Sequence, residues 1–596
     1  MEYICNPVNI NYRYQFNADP RLHGQMQICR EAADPSMICF RGRYYIFASM
    51  TLGVWVSDDL AHWENHRLPS DLPLYDYAPD VRVMGDWVYF CASRREENCD
   101  RWRTNDILNG PYEKIEGSFP FWDPNLFIDD DGRVYFYWGC SNITPIWGVE
   151  LDQNTMLPLG DRRVLIEGHP FEIGYERIGE DNSQFPASDD EIEAGYQAFI
   201  QRQGVPEEQL PPEVKPLIRG MFTRRPYIEG PWMDKHDGKY YLQYAAPGTQ
   251  YNTYSDGVYV SDSPLGPFSL AENNPYSYKP GGFLPGAGHG STMRDMRGNW
   301  WHTATMRISV NHDFERRVGI WPAGFDAEGE LFCNQRYGDW PMAAEGDPWR
   351  NPAWMLLSVG KQANASSWMQ GHEPSKATEE SVKTWWQAAS NNRNEWLQID
   401  LGKEMTVHAV QINFADGKID IPCPGPITGT SQARYIEERD LLTQWKLEAS
   451  PDGETWFAVE DKSNVQTDLS HDLIVREDGF SARYLKLSDL SVPYGQKPCI
   501  SGLRVFGLGQ GEKPPIPVFT AKRTGDLDMM VNITAHANTL GYNVLFGSSP
   551  DKLYHSYMVF HAGQQRVGAL IKGRDYYVRV DTFNECGITE GICVKL

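Results

Sequence analysis

The chain has no apolar run approaching the ~20 residues of a membrane span, and it has no surplus of positive charge. Its formal net charge is −25, which argues against nucleic acid or an anionic membrane as partner, since both are held by basic patches. A disulfide framework is missing too. The 11 cysteines are scattered, odd in number and without a CxxC pair, and read as free thiols of a reducing cytoplasm. The opening residues, Met1-Glu-Tyr-Ile-Cys-Asn-Pro7, lack the basic segment and apolar core of a secretory leader. A cytoplasmic protein is the expectation, with secretion as the alternative. An EF-hand is also absent: Asp129-Asp-Asp-Gly132 lacks the alternating ligands and downstream Glu of a calcium loop. It reads as a hairpin turn.

Aromatic side chains are abundant, with 20 Trp and 31 Tyr, as suits β-blades or sugar-stacking surfaces. The 596 residues are too many for one domain, and 41% hydrophobic with 23% charged residues is a globular balance. Five segments share a turn glycine followed by an aromatic strand: Gly42-Arg-Tyr-Tyr-Ile-Phe, Gly85-Asp-Trp-Val-Tyr-Phe, Gly132-Arg-Val-Tyr-Phe-Tyr, Gly238-Lys-Tyr-Tyr-Leu-Gln and Gly298-Asn-Trp-Trp-His-Thr. Their glycines are spaced by 43, 47, 106 and 60 residues. Such a period, with several strands per unit, marks a propeller. Ser57–Trp63, Asn105–Pro111 and Ser261–Phe268 supply the outer turns. Five blades then fill about residues 25 to 340. The long interval holds an insertion at about 172–220, helical near 188–203, with a sixth blade as the alternative.

Counting back from the turn glycines, Asp34, Asp123, Glu229 and His289 fall eight or nine residues upstream. Three precede a proline directly or after one glycine, and the second copy places Ala78 there. Equivalent inner-strand positions of a radial fold converge on its axis. Hydrolysis of a glycosidic bond needs a protonated carboxyl at the leaving oxygen and an ionised carboxylate on the other face. In the inverting case the two stand ~6.5–9.5 Å apart, and a third carboxylate raises the pKa of the acid. Three axial acids fit that chemistry. His289, in Gly286-Ala-Gly-His-Gly-Ser-Thr, reads either as a packed histidine or as an axial metal or water ligand.

Ala33-Asp-Pro-Ser, Tyr77-Ala-Pro-Asp, Asp123-Pro-Asn-Leu-Phe-Ile-Asp-Asp-Asp-Gly, Glu229-Gly-Pro and Gly288-His-Gly-Ser, in this order, resemble glycoside hydrolase family 43. The resemblance covers about residues 1–345. It implies a five-bladed propeller and an inverting hydrolase of α-L-arabinofuranosides, β-xylosides or galactosides. Asp34 would be the general base, Glu229 the general acid, and Asp123 the residue that tunes and orients the acid. Trp55, Ala78 and Arg316 would contact substrate, Arg316 standing beside Arg317 as a rival. His289 would hold a calcium or sodium ion through water, the only metal implied; no other cofactor is required.

The fold class is all-β: a five-bladed β-propeller (1–350) followed by two β-sandwich domains (356–510 and 515–596). Ala363-Asn-Ala-Ser-Ser, Trp385-Trp386 and Trp396-Leu-Gln-Ile-Asp-Leu-Gly resemble the discoidin-type (factor 5/8 C) jelly roll, whose tryptophans either stack on sugars or form the core. The last segment, with Tyr576-Tyr-Val-Arg-Val-Asp-Thr-Phe583, resembles a fibronectin type III sandwich. The partner is an oligosaccharide or polysaccharide. A noncatalytic carbohydrate-binding propeller is the second reading. A fructan hydrolase or a glycoside phosphorylase is the third, the phosphorylase needing a basic cluster such as Arg219, Arg224 and Arg225.

Overall fold

The computed structural model describes residues 1–18, 26–69, 72, 77–93, 99–204, 206–212, 214–428 and 433–596. Five antiparallel sheets stand around one axis, each built from a Gly-aromatic repeat. Blade 1 runs from Ser36–Phe40 through Arg43–Phe47 and Gly53–Ser57 to Glu64–Arg67. Blades 2, 3 and 5 repeat that meander from Tyr77–Met84, Pro124–Ile128 and Gly288–Arg294. Blade 4, begun by Ile228–His236, gains an extra inner edge from Cys140–Ser141, which pairs Cys140 with Glu229 and Ser141 with Ile228. The three outer turns read from sequence each join two strands, and Asp129–Gly132 closes the hairpin between Pro124–Ile128 and Val134–Trp138.

Alternation on the blade strands buries both faces, so aromatics fill every gap between neighbours. Met37, Tyr44, Ile46 and Trp55 pack with Met293, Trp301, Val318 and Ile320 between blades 1 and 5. Phe90 and Trp102 meet Phe47 and Val54 between blades 1 and 2. Each buried aliphatic or Phe side chain contributes about 1.5–3 kcal/mol. The ring is closed by the N-terminal segment: Tyr3–Ile4 pairs with Met342–Ala343. The Asn6 side chain receives the Ile320 N–H at 2.9 Å and donates to the Ile320 carbonyl at 2.8 Å. A side-chain amide thus completes the ladder where the strand has no backbone neighbour.

Between Ile166 and Ile228 the described residues form no strand. The interval holds an insertion rather than a sixth blade. Its main helix, Asp189–Gln203, starts on a Ser188–Glu191 capping box and ends on left-handed Gly204. A second helix, Val214–Met221, follows, and Gly220 comes close to Ile143 on the loop after Cys140. The helical pair therefore leans on the loop beside Glu229.

Strands from Met355 to Leu508 form an eight-stranded assembly around Trp386, Trp445, Leu447 and Ile412. Trp385 and Trp386 are buried, so these two are core. Phe519–Gly525 onward forms two more sheets. These sheets pack Met529, Val531 and Val578 into one core with Tyr244 and Ile173 of the propeller. Buried Arg177 clamps Asp528 with two hydrogen bonds, at 2.7 and 3.2 Å.

Candidate active site

Each blade carries a residue with positive φ at the start of its innermost strand: Asp34 (50°), Ala78 (49°), Asp123 (50°), Gly230 (57°) and His289 (52°). For a residue with a Cβ this left-handed backbone costs on the order of 1–3 kcal/mol. It turns the chain out of the strand at the axis. A neighbouring polar atom accepts the N–H freed by the turn. Asp34 donates to Thr305 Oγ1 at 2.8 Å, Ala78 to Ser49 Oγ at 2.9 Å, Asp123 to Ser93 Oγ at 2.8 Å, and His289 to Asp256 Oδ1 at 2.7 Å. In blade 4 the left-handed position is Gly230, so Glu229 lies one residue earlier. The common offset in sequence therefore does not make Glu229 the backbone equivalent of Asp34 and Asp123. The bulge between Glu229 and Trp232 matches those at Tyr77/Asp80 and Gly288/Ser291, so Glu229 aligns with Tyr77 and Gly288.

Asp34 is buried and surrounded by donors. Ser49 donates its hydroxyl to Oδ2 at 2.6 Å, and Arg316 Nη1 reaches Oδ1 and Oδ2 at 3.0 and 3.2 Å. Burial alone would raise this carboxyl. Arg316, His289 and the Ser49 and Thr305 hydroxyls outweigh burial and hold it below the usual carboxylate value. Arg316 is itself shared with Glu31, which accepts from its Nε at 2.8 Å. Arg317 turns away, to His471 of the second domain and the Arg30 carbonyl. Of the two arginines weighed from sequence, Arg316 is the one at the site.

Asp123 meets the opposite environment. Burial first, then the charges of Glu229 and Asp34, push its carboxyl up to about 7, against the pull of His289 and Cys140. Glu229 accepts the Tyr254 hydroxyl on Oε1 at 2.6 Å and the Cys140 thiol on Oε2 at 3.2 Å. Burial and the two adjacent carboxylates raise the Cys140 thiol far above its usual range, so it stays a donor. Ligand atoms of Asp123, Cys140 and Glu229 lie within 4.8 Å of one another. Asp123, raised to about 7, is the carboxyl of this group that keeps a proton near neutral pH.

His289 bridges the two sides. Its Nδ1 is 3.5 Å from Asp34 Oδ1 and 3.7 Å from Asp123 Oδ2. Burial lowers its pKa, but Asp34, Asp123, Glu229 and Asp256 together raise it above the usual value, favouring the imidazolium. Among the described residues, three potential ligands gather only at Glu2–Asp59–His62 and at Asp123–Cys140–Glu229, and His289 belongs to neither group.

Two expectations change. Trp55 is fully buried between blades 1 and 5, donating its indole N–H to Asn11 Oδ1 at 2.6 Å. It sits on the third strand of its blade, away from the axis, and is core. Ala78 does reach the axial ring, though buried. The basic cluster weighed for phosphate is neutralised residue by residue: Arg219 pairs with Glu193, Arg224 with Asp189 and Arg225 with Glu167.

Sequence reading missed Ser49, Ser93, Cys140 and Thr305, although the signal was there. Each lies seven or eight residues after its turn glycine, where the second strand returns to the axis. Tyr254, Glu31 and Asp256 carry no such regularity.

Residues 28–176 and 192–331 match the model of Glycosyl hydrolases family 43, and 376–487 match that of the NedA-like, galactose-binding domain. The chain is 27% identical over 345 residues to "Xylosidase/arabinosidase 43A" of Humicola insolens, covering 50% of this chain and 95% of that protein. It is 29% identical over 275 residues to "Xylosidase/arabinosidase" of Bacteroides ovatus, covering 40% and 76%. Identity reaches 45% over 272 residues with the "Beta-D-galactofuranosidase" of Aspergillus niger, covering 40% of this chain and 63% of that one. With a propeller that matches the family and carboxyl groups gathered on its axis, this protein is a glycosidase of glycosyl hydrolase family 43, joined to a NedA-like domain.

Proposed function

We propose that the protein is an exo-acting, inverting glycosidase that removes α-L-arabinofuranosyl or β-D-xylosyl residues from plant-type oligosaccharides. Galactofuranosyl is a further sugar within its range. The observation that carries this reading is the opposed titration of two axial carboxyls. Asp34 is held ionised by Arg316 and His289, while Asp123 beside Glu229 is driven to about 7. Such environments keep an ionised carboxylate on the Asp34 side and a protonatable carboxyl beside Glu229.

In this mechanism Asp34 takes a proton from a water on one face of the sugar as that water attacks the anomeric carbon. Glu229, oriented by the Tyr254 hydroxyl and the Cys140 thiol, protonates the departing glycosidic oxygen. Asp123, its own carboxyl raised to about 7, stands beside Glu229 as the protonatable neighbour of the acid. Exo action is supported by the flanks: the helical insertion stands against the loop after Cys140. On the Asp34 side a strand of the second domain packs against the N-terminal strands. Such flanking elements favour a chain end over an internal stretch.

The sugar range is supported by the names of the relatives. β-D-galactofuranose also repeats the ring configuration of α-L-arabinofuranose with one added exocyclic carbon. The experiment is hydrolysis of 4-nitrophenyl α-L-arabinofuranoside, β-D-xyloside and β-D-galactofuranoside, with the first-formed anomer read by proton NMR. Turnover of at least one, with the anomer opposite to the substrate, is expected. A product that retains the substrate's configuration would make Asp34 a nucleophile and overturn the base assignment.

A further inference from the structure

The second domain enters the propeller with a backbone strand. Arg434–Ile436 pairs antiparallel with Arg13–Asn17, setting Asn17 opposite Arg434 and Gln15 opposite Ile436. Arg13–Asn17 pairs in turn with Gln27–Glu31, which ends three residues before Asp34. Ile436 is fully buried in the core shared by blades 1 and 2. The chain on either side is pinned: Ala18 N–H donates to the Ala433 carbonyl and Glu437 N–H to the Tyr14 carbonyl, each at 2.8 Å. Arg30 donates to Asp416 and Asp468 further along.

The Arg434 side chain is 6% exposed. Burying a guanidinium is costly unless carboxylates and acceptors meet it, and here they are propeller groups. It donates to Gln15 Oε1 and to the Tyr77 hydroxyl, each at 2.5 Å, and stands 3.9 Å from Glu31 Oε2. Glu31 accepts from Arg316, and Arg316 holds Asp34. Tyr77 adjoins Ala78 of the axial ring, and its ring centroid lies 6.3 Å from that of Trp122, next to Asp123.

We infer that Arg434, a residue of the second domain, is a positioning residue of the hydrolytic site: it balances Glu31 so that Arg316 serves Asp34, and it fixes Tyr77. The logic is competition. Glu31 and Asp34 draw on one guanidinium, and a lone arginine between two carboxylates satisfies neither fully. A second cation at Glu31 leaves Arg316 Nη1 to Asp34, which stays ionised and aimed. Asp34 faces Arg316, His289, Asp123 and Tyr254, and Glu31 faces Arg316, Arg434, His312, Tyr77 and Cys29. The sandwich is therefore part of the catalytic unit, whatever its own sugar affinity. This inference rests on the reading of Asp34 as base.

The test uses the full chain and the nitrophenyl glycoside that the wild type hydrolyses. The profile of kcat/KM against pH is measured for Arg434→Gln, Arg434→Lys, Tyr77→Phe and Asp34→Asn, with thermal melting as a check of folding. Arg434→Gln should move the acid limb upward by on the order of one pH unit, a roughly tenfold loss on the acid side with little change at pH 7. Arg434→Lys should return the limb toward wild type. Tyr77→Phe should leave it in place, because no charge is removed. An acid limb unmoved in folded Arg434→Gln, or a loss equal at every pH and not rescued by Lys, would reduce Arg434 to a packing residue and overturn the inference. Wild-type turnover by Asp34→Asn would instead overturn the base assignment, independently of Arg434.

Discussion

Gly230 presses against the imidazole of His289: a Cβ built on it would lie 2.5 Å from Cδ2 and 2.8 Å from Nε2. The residue after Glu229 and the imidazole between the carboxylates are therefore packed as one unit. Gly230 also has a φ of 57°, so the position demands glycine on two counts. Gly230→Ala should lower kcat by 100-fold or more, on the order of 3 kcal/mol. The fold should be retained, as read by kcat beside the melting temperature.

Asp34 owes its ionisation to Arg316 and Ser49. Removing either raises its pKa, so the acid limb of kcat/KM should climb. Arg316→Met should move it by on the order of one pH unit or more. Ser49→Ala, which removes one hydrogen bond to Oδ2, should move it the same way by less. A pH profile of each variant decides, and a downward shift would contradict the placement.

Asp34 and Asp123 should affect stability with opposite signs. Asp123 is raised in the folded protein to about 7 from an unfolded value near 3.8. Between those pH values the folded state binds the extra proton, so stability falls as pH rises. Asp123→Asn lacks that loss and should melt higher than wild type at pH 8, the difference closing toward pH 4. Asp34 is depressed; its contribution is present above about pH 4 and is lost as pH falls through the folded value. Asp34→Asn should melt lower than wild type at pH 7. Paired melting curves across pH read both.

The third domain is tied to the propeller by a buried ion pair, and breaking one partner strands the other. Arg177 is fully buried, with Asp528 8% exposed. Asp528→Ala should cost about 3–5 kcal/mol in denaturant unfolding, whereas Asp526→Ala, 68% exposed at its side chain, should cost little.

The propeller was legible because its signals are local: a turn glycine, an aromatic strand, an acid a fixed distance before it. Asp34, Asp123, Glu229 and His289 met at the axis on that count alone. The one-residue slip at Glu229 was invisible, since only the left-handed backbone of Gly230 reveals it. Trp55 misled because residue type does not say which strand of a blade faces the axis. Ser49, Ser93, Cys140 and Thr305 were within reach of the same counting, carried forward instead of back. Arg434 was not. It belongs to another domain some 400 residues from Asp34 in sequence, and only strand pairing across the domain boundary brings it to Glu31.

The roles of Glu229 and Asp34 are separated most directly by changing the leaving group. Glu229→Ala is compared with Asp34→Ala on a 2,4-dinitrophenyl glycoside, which departs without protonation, and on the corresponding alkyl glycoside, which does not. Loss of a general acid costs typically 10²–10⁴-fold where protonation is needed. Glu229→Ala should lose about that much on the alkyl glycoside and little on the dinitrophenyl one, while Asp34→Ala should lose both. Equal losses for Glu229→Ala on the two substrates, or selective rescue of Asp34→Ala by the better leaving group, would contradict the assignment.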